Sequence, residues 1–125
     1  MSITIPVSIG ELCDKFSILK IKFEQIKDTQ KRIHVEKEIL LLNPIVYPYL
    51  EHSLLDELKE ANQTLWSIED RIRVKERNHQ FDDEFIQLAR SVYKVNDRRA
   101  EIKQKINIDF ESNLSEVKEY IHYTR

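Results

Sequence analysis

A chain of 125 residues, 41% apolar and 34% charged, carries enough apolar material for one cooperative core and too little for two. One glycine and three prolines leave few turns, which excludes many-stranded barrels and sandwiches and points to long helices. Twenty Lys and Arg against twenty-two Asp and Glu give a formal charge of -2, so no global field draws the protein toward nucleic acid or an anionic membrane.

Residues 1–7 are β-prone and contain Pro6, which reads as an extended N-terminal arm. Ser8 with Glu11 forms a capping box and Val7 with Leu12 a hydrophobic staple, so the first helix starts at Ile9. Its seam of Ile9, Leu12, Phe16, Leu19, Phe23 and Ile26 continues past Gln30 to Ile33 and Leu40. One helix over about 9–42 is predicted, ended by Asn43-Pro44 and Pro48. Leu54, Leu58, Ala61, Leu65, Ile68 and Ile72 predict a second helix over about 49–77. Asp82 is the expected N-cap of a third over about 83–107, with Asp83 and Glu84 in its first turn and a seam running from Phe85 to Ile106. Residues 114–121 read as a short helix with Leu114, Val117 and Tyr120 inward, Asn113 as cap and Glu116 at the third position.

The expected fold is all-α. It is an antiparallel three-helix bundle of long heptad-like helices with a short C-terminal helix, a single helical domain over 1–125. The first two helices read as longer than the third, which leaves apolar stripe without a partner. Self-association as a dimer or higher oligomer, or docking on another protein, would cover it. Polar Gln30, Lys37 and Arg99 on the seams set register or mark where a seam reaches solvent. The sequence lacks a signal-peptide pattern and any apolar run of membrane-spanning length, and its one cysteine, Cys13, reads as a buried thiol; a cytoplasmic location is expected.

Asn62, Trp66, Glu69 and Arg73 share a face beside the second seam, with Asp70 next to them. An aromatic ring, a carboxylate and a guanidinium there suit a cleft, although a Glu69 to Arg73 ion pair beside a half-buried Trp66 explains the same residues. On the third helix Tyr93, Asn96, Asp97, Arg99 and Lys103 form a matching segment. Facing each other, the two would make a polar cleft or a register-setting network. Lys15 and Lys22, seven apart on one flank of the first helix, are candidate anion-binding residues, whereas Glu11 and Asp14 are accounted for by capping and by the helix dipole. Arg71, Arg73, Lys75 and Arg77 with Arg90, Lys94, Arg98, Arg99, Lys103 and Lys105 offer a weak nucleic-acid alternative, undercut by interleaved acids. His34, His52, His79 and His122 lack ligand spacing, and no phosphate loop or nucleophile elbow is present. Glu57, Glu60, Glu69, Asp70 and Asp97 allow an oxygen-rich magnesium site between helices. That is the basis of a second alternative, a magnesium-dependent nucleotide or phosphate-ester hydrolase with Arg73 or Arg99 on phosphate; otherwise no cofactor is expected.

Taken together, Ser8-Ile9-Gly10-Glu11-Leu12, Asp14-Lys15, Ile21-Lys22, Asn62, Leu65-Trp66, Ile68-Glu69-Asp70 and Ile72-Arg73 form a distinctive pattern. It continues with Phe81-Asp82, the run from Phe85 to Tyr93, Asn96-Asp97-Arg98-Arg99-Ala100, Ile102-Lys103, Ile106-Asn107, Glu119 and Tyr120. The pattern resembles a family of small uncharacterised proteins of bacteria and phages, a domain of unknown function. The resemblance implies a shared helical fold and a cytoplasmic location, and it brings no activity with it. A weaker likeness in carboxylate placement is to the all-helical nucleotide pyrophosphohydrolases, whose paired acidic motifs are matched only by Glu57 with Glu60. The leading expectation is a noncatalytic helical oligomerisation or protein-interaction module.

Overall fold

A computed structural model describes residues 1–123. Four helices follow one another: α1 (Ile9–Gln25), α2 (Thr29–Val46), α3 (Ser53–Arg77) and α4 (Asp83–Asp109), with a 3-10 turn at Tyr47–Tyr49 between α2 and α3. They form a four-helix bundle, which corrects the three-helix expectation. The single helix over 9–42 is in fact two. Ile26 leaves helical geometry at ψ 129°, and the Asp28 carboxylate accepts from Lys31 N–H at 2.9 Å to cap a new helix. The apolar period runs unbroken across this point, but a side-chain acceptor that can bond a nearby amide competes with the helical ladder and here prevails. The chain then folds back: Arg32 stacks 4.4 Å from the Phe23 ring centroid, and Lys15 pairs with Glu38 at 2.9 Å, so α1 and α2 are an antiparallel hairpin.

The relative lengths are also corrected. α1 and α2 have 17 and 18 residues, whereas α3 and α4 have 25 and 27. α2 continues through Pro44 to Val46, and α3 starts at Ser53, where His52 Nδ1 accepts from Leu54 N–H at 3.1 Å. His52 also lies against Phe110, as does Tyr49, which ties the α2–α3 connection to the end of α4. At the opposite end Asp82 caps α4 by accepting from Phe85 N–H, and Lys75 pairs with Asp82 and Glu84 across the α3–α4 turn.

All four helices contribute to one core of Cys13, Phe16, Val46, Leu58, Ala61, Ile102 and Ile106. The short C-terminal helix expected over 114–121 is absent. Between Glu111, whose φ is 53°, and Tyr123 the chain runs without regular structure, and Glu116, Tyr120 and Tyr123 bring it back along α4 as a strap. Three apolar residues on so short a segment do not offset the cost of nucleating a helix, and Glu116 is drawn to α4 instead of capping. Among the described residues no helix is long and apolar enough to cross a membrane.

Candidate functional site

The most unusual side chain in the bundle is Asp14, a carboxylate only 1% exposed in the middle of α1. Gly10, Asp14, Ser17 and Ile21 form a buried stripe at helical spacing on the side of α1 that meets α3 and α4. A charge withdrawn from water needs partners, and Asp14 has them from both α3 and α4. Asn62 on α3 donates from Nδ2 to Asp14 Oδ1 at 2.9 Å and to Ser17 Oγ at 2.8 Å. Arg99 on α4 donates from Nε to Oδ1 at 2.8 Å and from Nη2 to Oδ2, the two parallel bonds of a guanidinium fork on a carboxylate. These bonds hold the Arg99 guanidinium above its ordinary pKa, against burial.

One turn along, Lys103 is 7% exposed. Its ammonium lies 2.8 Å from Glu11, 2.9 Å from Glu116 on the strap and 3.9 Å from Asp14. Burial alone would lower the Lys103 pKa, but hydrogen bonds to Glu11 and Glu116 outweigh it and the net shift is upward. Glu116 is held below the usual carboxylate range, mainly by its bond to Lys103. A depressed carboxylate stabilises above its unfolded pKa and a raised lysine below its own. The strap bond is therefore intact between these limits, and is lost as pH falls through the Glu116 value or rises through that of Lys103.

The N-terminus of α1 is closed from the far end of the chain. Ser112 Oγ accepts from Ile9 N–H at 3.1 Å, Asn107 Oδ1 from Gly10 N–H at 2.6 Å and Ser8 Oγ from Glu11 N–H at 3.1 Å. The first three amides of the helix are thus satisfied by side chains, and no free anion cradle remains there.

The residues picked from sequence separate into groups. Asn62, Asn96, Arg99 and Lys103 belong to the Asp14 network, with Asn96 Oδ1 accepting from Arg99 Nη1 at 3.4 Å. Tyr93 stacks on Tyr123 of the strap at 4.9 Å, and loss of water together with the nearby Asp97 carboxylate pushes the phenols of Tyr120 and Tyr123 upward. Trp66 lies apart, half-buried, and with Asp70 lines a shallow pocket of about 320 Å³ against Ile21 and Gln25, while Glu69 and Arg73 are exposed on α3. Lys15 is taken up by Glu38, and Lys22, half-buried in the last turn of α1, is not part of that pair. Among the described residues no three His, Cys, Asp or Glu side chains converge as a metal-binding group. Glu57, Glu60, Glu69, Asp70 and Asp97 therefore offer no assembled magnesium site, and Glu60 instead sits 3.9 Å from Arg98. Part of the basic stripe is spoken for: Arg71 and Lys75 pair with acids at the α3–α4 turn, Arg98 sits near Glu60, Arg99 pairs with the buried Asp14, and Lys103 with Glu11 and Glu116. Glu11, Asp14 and Glu116 escaped the sequence reading as site residues. The signal that could have found Asp14 is the Gly10, Asp14, Ser17 stripe, too small and polar for a simple core face.

Cys13, adjacent to Asp14, is 1% exposed, and burial followed by the Asp14 charge raises its pKa to about 11. At pH 7.5 it should resist iodoacetamide in the folded protein and react readily in denaturant, as mass spectrometry of the labelled protein would read out. Labelling at equal rates in both states would contradict the burial described.

A bundle of this kind, pinned by a buried ion network under a C-terminal strap, defines an all-helical protein without an assembled metal centre among its described residues. The chain belongs to a family of unknown function, DUF6165, which it matches over residues 3–124. No curated protein and no solved structure matches it.

Proposed function

We propose that this protein is a self-associating helical module whose interface is the outer face of α2. The supporting observation is that α2 is apolar on both sides. Ile39, Leu42 and Val46 pack inward, while Leu40 at 65% and Leu41 at 63% exposure, together with Ile33 and Ile45, face out. A soluble domain rarely leaves such a stripe uncovered.

A second copy fits it by charge as well as by shape. Ile33, Glu36, Lys37, Leu40 and Leu41 line one open groove of about 410 Å³. In an antiparallel pair with its two-fold axis between residues 36 and 37, Ile33 of each copy meets Leu40 of the other and Glu36 meets Lys37. The apolar and charged contacts are satisfied in the same register, which is what a self-complementary surface requires. The proposal sets the module in the cytoplasm, where a lone buried thiol such as Cys13 is at home.

Sedimentation equilibrium tests this. The wild type is expected to be dimeric at roughly 100 μM, where an association free energy of about -7 kcal/mol suffices. Leu40→Glu is expected to be monomeric, and Glu36→Lys to weaken the dimer by placing like charges together. Adding Lys37→Glu to Glu36→Lys should restore it. A monomeric wild type at that concentration would refute the proposal, and failure of the double exchange to restore pairing would refute the register.

A further inference from the structure

We propose that the pocket between α1, α4 and the C-terminal strap is a binding site for a small oxyanion, a carboxylate or a phosphate group, and that Glu116 is its internal stand-in. The pocket, about 220 Å³, is lined by Glu11, Asn96, Arg99, Lys103, Glu116 and Lys118. Glu116 already shows how an oxyanion sits there: one carboxylate oxygen lies 2.9 Å from Lys103 Nζ and the other 3.6 Å from Lys118 Nζ. Two further donors line the cavity. Among the described residues Arg99 Nη1 has one hydrogen-bond partner, Asn96 Oδ1, at a long 3.4 Å, and the Asn96 side chain stands beside it.

Two properties make Glu116 replaceable. First, among the described residues the backbone of 113–123 makes no hydrogen bond to other backbone; the strap is held by side chains and by the Ser112 hydroxyl on the Leu114 carbonyl. Its carboxylate can therefore leave without breaking a helix or a ladder. Second, Asp14, Glu11 and Glu116 face Arg99, Lys103 and Lys118, so exchanging one carboxylate for a ligand oxyanion keeps the network balanced. The buried Lys103 ammonium is never left unpaired, which is the condition that would otherwise forbid the exchange.

The test is an NMR titration of the full chain at constant ionic strength, with acetate and inorganic phosphate as separate probes, on wild type and on Glu116→Gln. Glu116 is partly exposed on the strap, so the variant keeps the bundle intact. Saturable shifts of the Arg99 side-chain Nε–H and of the strap amides are expected. The apparent Kd should be at least about tenfold tighter in Glu116→Gln, because the resident competitor is gone. Tighter binding of acetate than of phosphate would assign a carboxylate ligand, and the reverse order a phosphate one. Shifts that do not saturate in either protein, or equal affinities in the two, would overturn the proposal.

Discussion

Replacing Arg99 with methionine is expected to cost about 3 kcal/mol of stability, close to the loss seen when one member of a buried ion pair is removed. The guanidinium supplies two of the hydrogen bonds to Asp14, and without it a carboxylate 1% exposed keeps, among the described residues, Asn62 and a lysine 3.9 Å away. Arg99 is itself partly exposed, which sets the estimate at the lower end of the range for such pairs. In a thermal melt the loss corresponds to a drop of roughly 10 °C for a domain of this size. Arg99→Lys should recover part of it, since an ammonium restores the charge but cannot give two parallel bonds. Adding Asp14→Leu to Arg99→Met should make the protein no less stable than Arg99→Met alone, because the stranded charge is then absent. A single Arg99→Met variant within about 0.5 kcal/mol of wild type, the range of ordinary surface substitutions, would show that Asp14 does not depend on the fork.

Gly10→Ala gives the second large effect. In most helices that exchange is favourable by up to about 1 kcal/mol. Here the new Cβ would lie 2.5 Å from the Lys103 carbonyl oxygen and 2.9 Å from Asn107 Oδ1. The first of these is backbone inside α4 and cannot turn aside, so α1 and α4 must separate, and overpacking of this kind costs about 1–3 kcal/mol or more. A net loss of about 2 kcal/mol is expected in urea unfolding, and more for Gly10→Val. Asn107→Ala serves as the comparison, for it removes the bond to Gly10 N–H without crowding the interface and should cost about 1 kcal/mol. An alanine variant as stable as wild type would mean that the two helices are not held at this distance.

Local chemistry was the legible part of this chain. Ser8 and Asp82 cap their helices as their spacing implies, because donor and acceptor lie within three residues of each other. Asp28 carried the same kind of signal, but the apolar seam running through it to Ile33 and Leu40 argued for continuity, and the hairpin went unread. Asp14 illustrates the opposite limit. Its position near a helix start has an adequate local explanation, yet its main partner lies 85 residues away. No spacing rule reaches that far. Asn62, Asn96, Arg99 and Lys103 could be picked out as polar residues beside seams, whereas the acids they serve were hidden behind simpler roles in capping and dipole compensation. Glu116 was assigned to a helix that does not form, since a short segment takes whichever partner the rest of the fold offers.

The closure of α1 by Asn107 and Ser112 also fixes when the fold can be completed. Ile9 waits for a partner 103 residues later in the chain. At translation rates of about 5–20 residues per second, that is roughly 5–20 s during which the Ile9 amide has no Ser112, and Asp14 waits almost as long for Arg99, 85 residues further on. The α1–α2 hairpin thus leaves the ribosome with a charge on its inner face that has nowhere to go until α4 arrives. Synthesis proceeds from one end, but the native structure sets in late and as a unit.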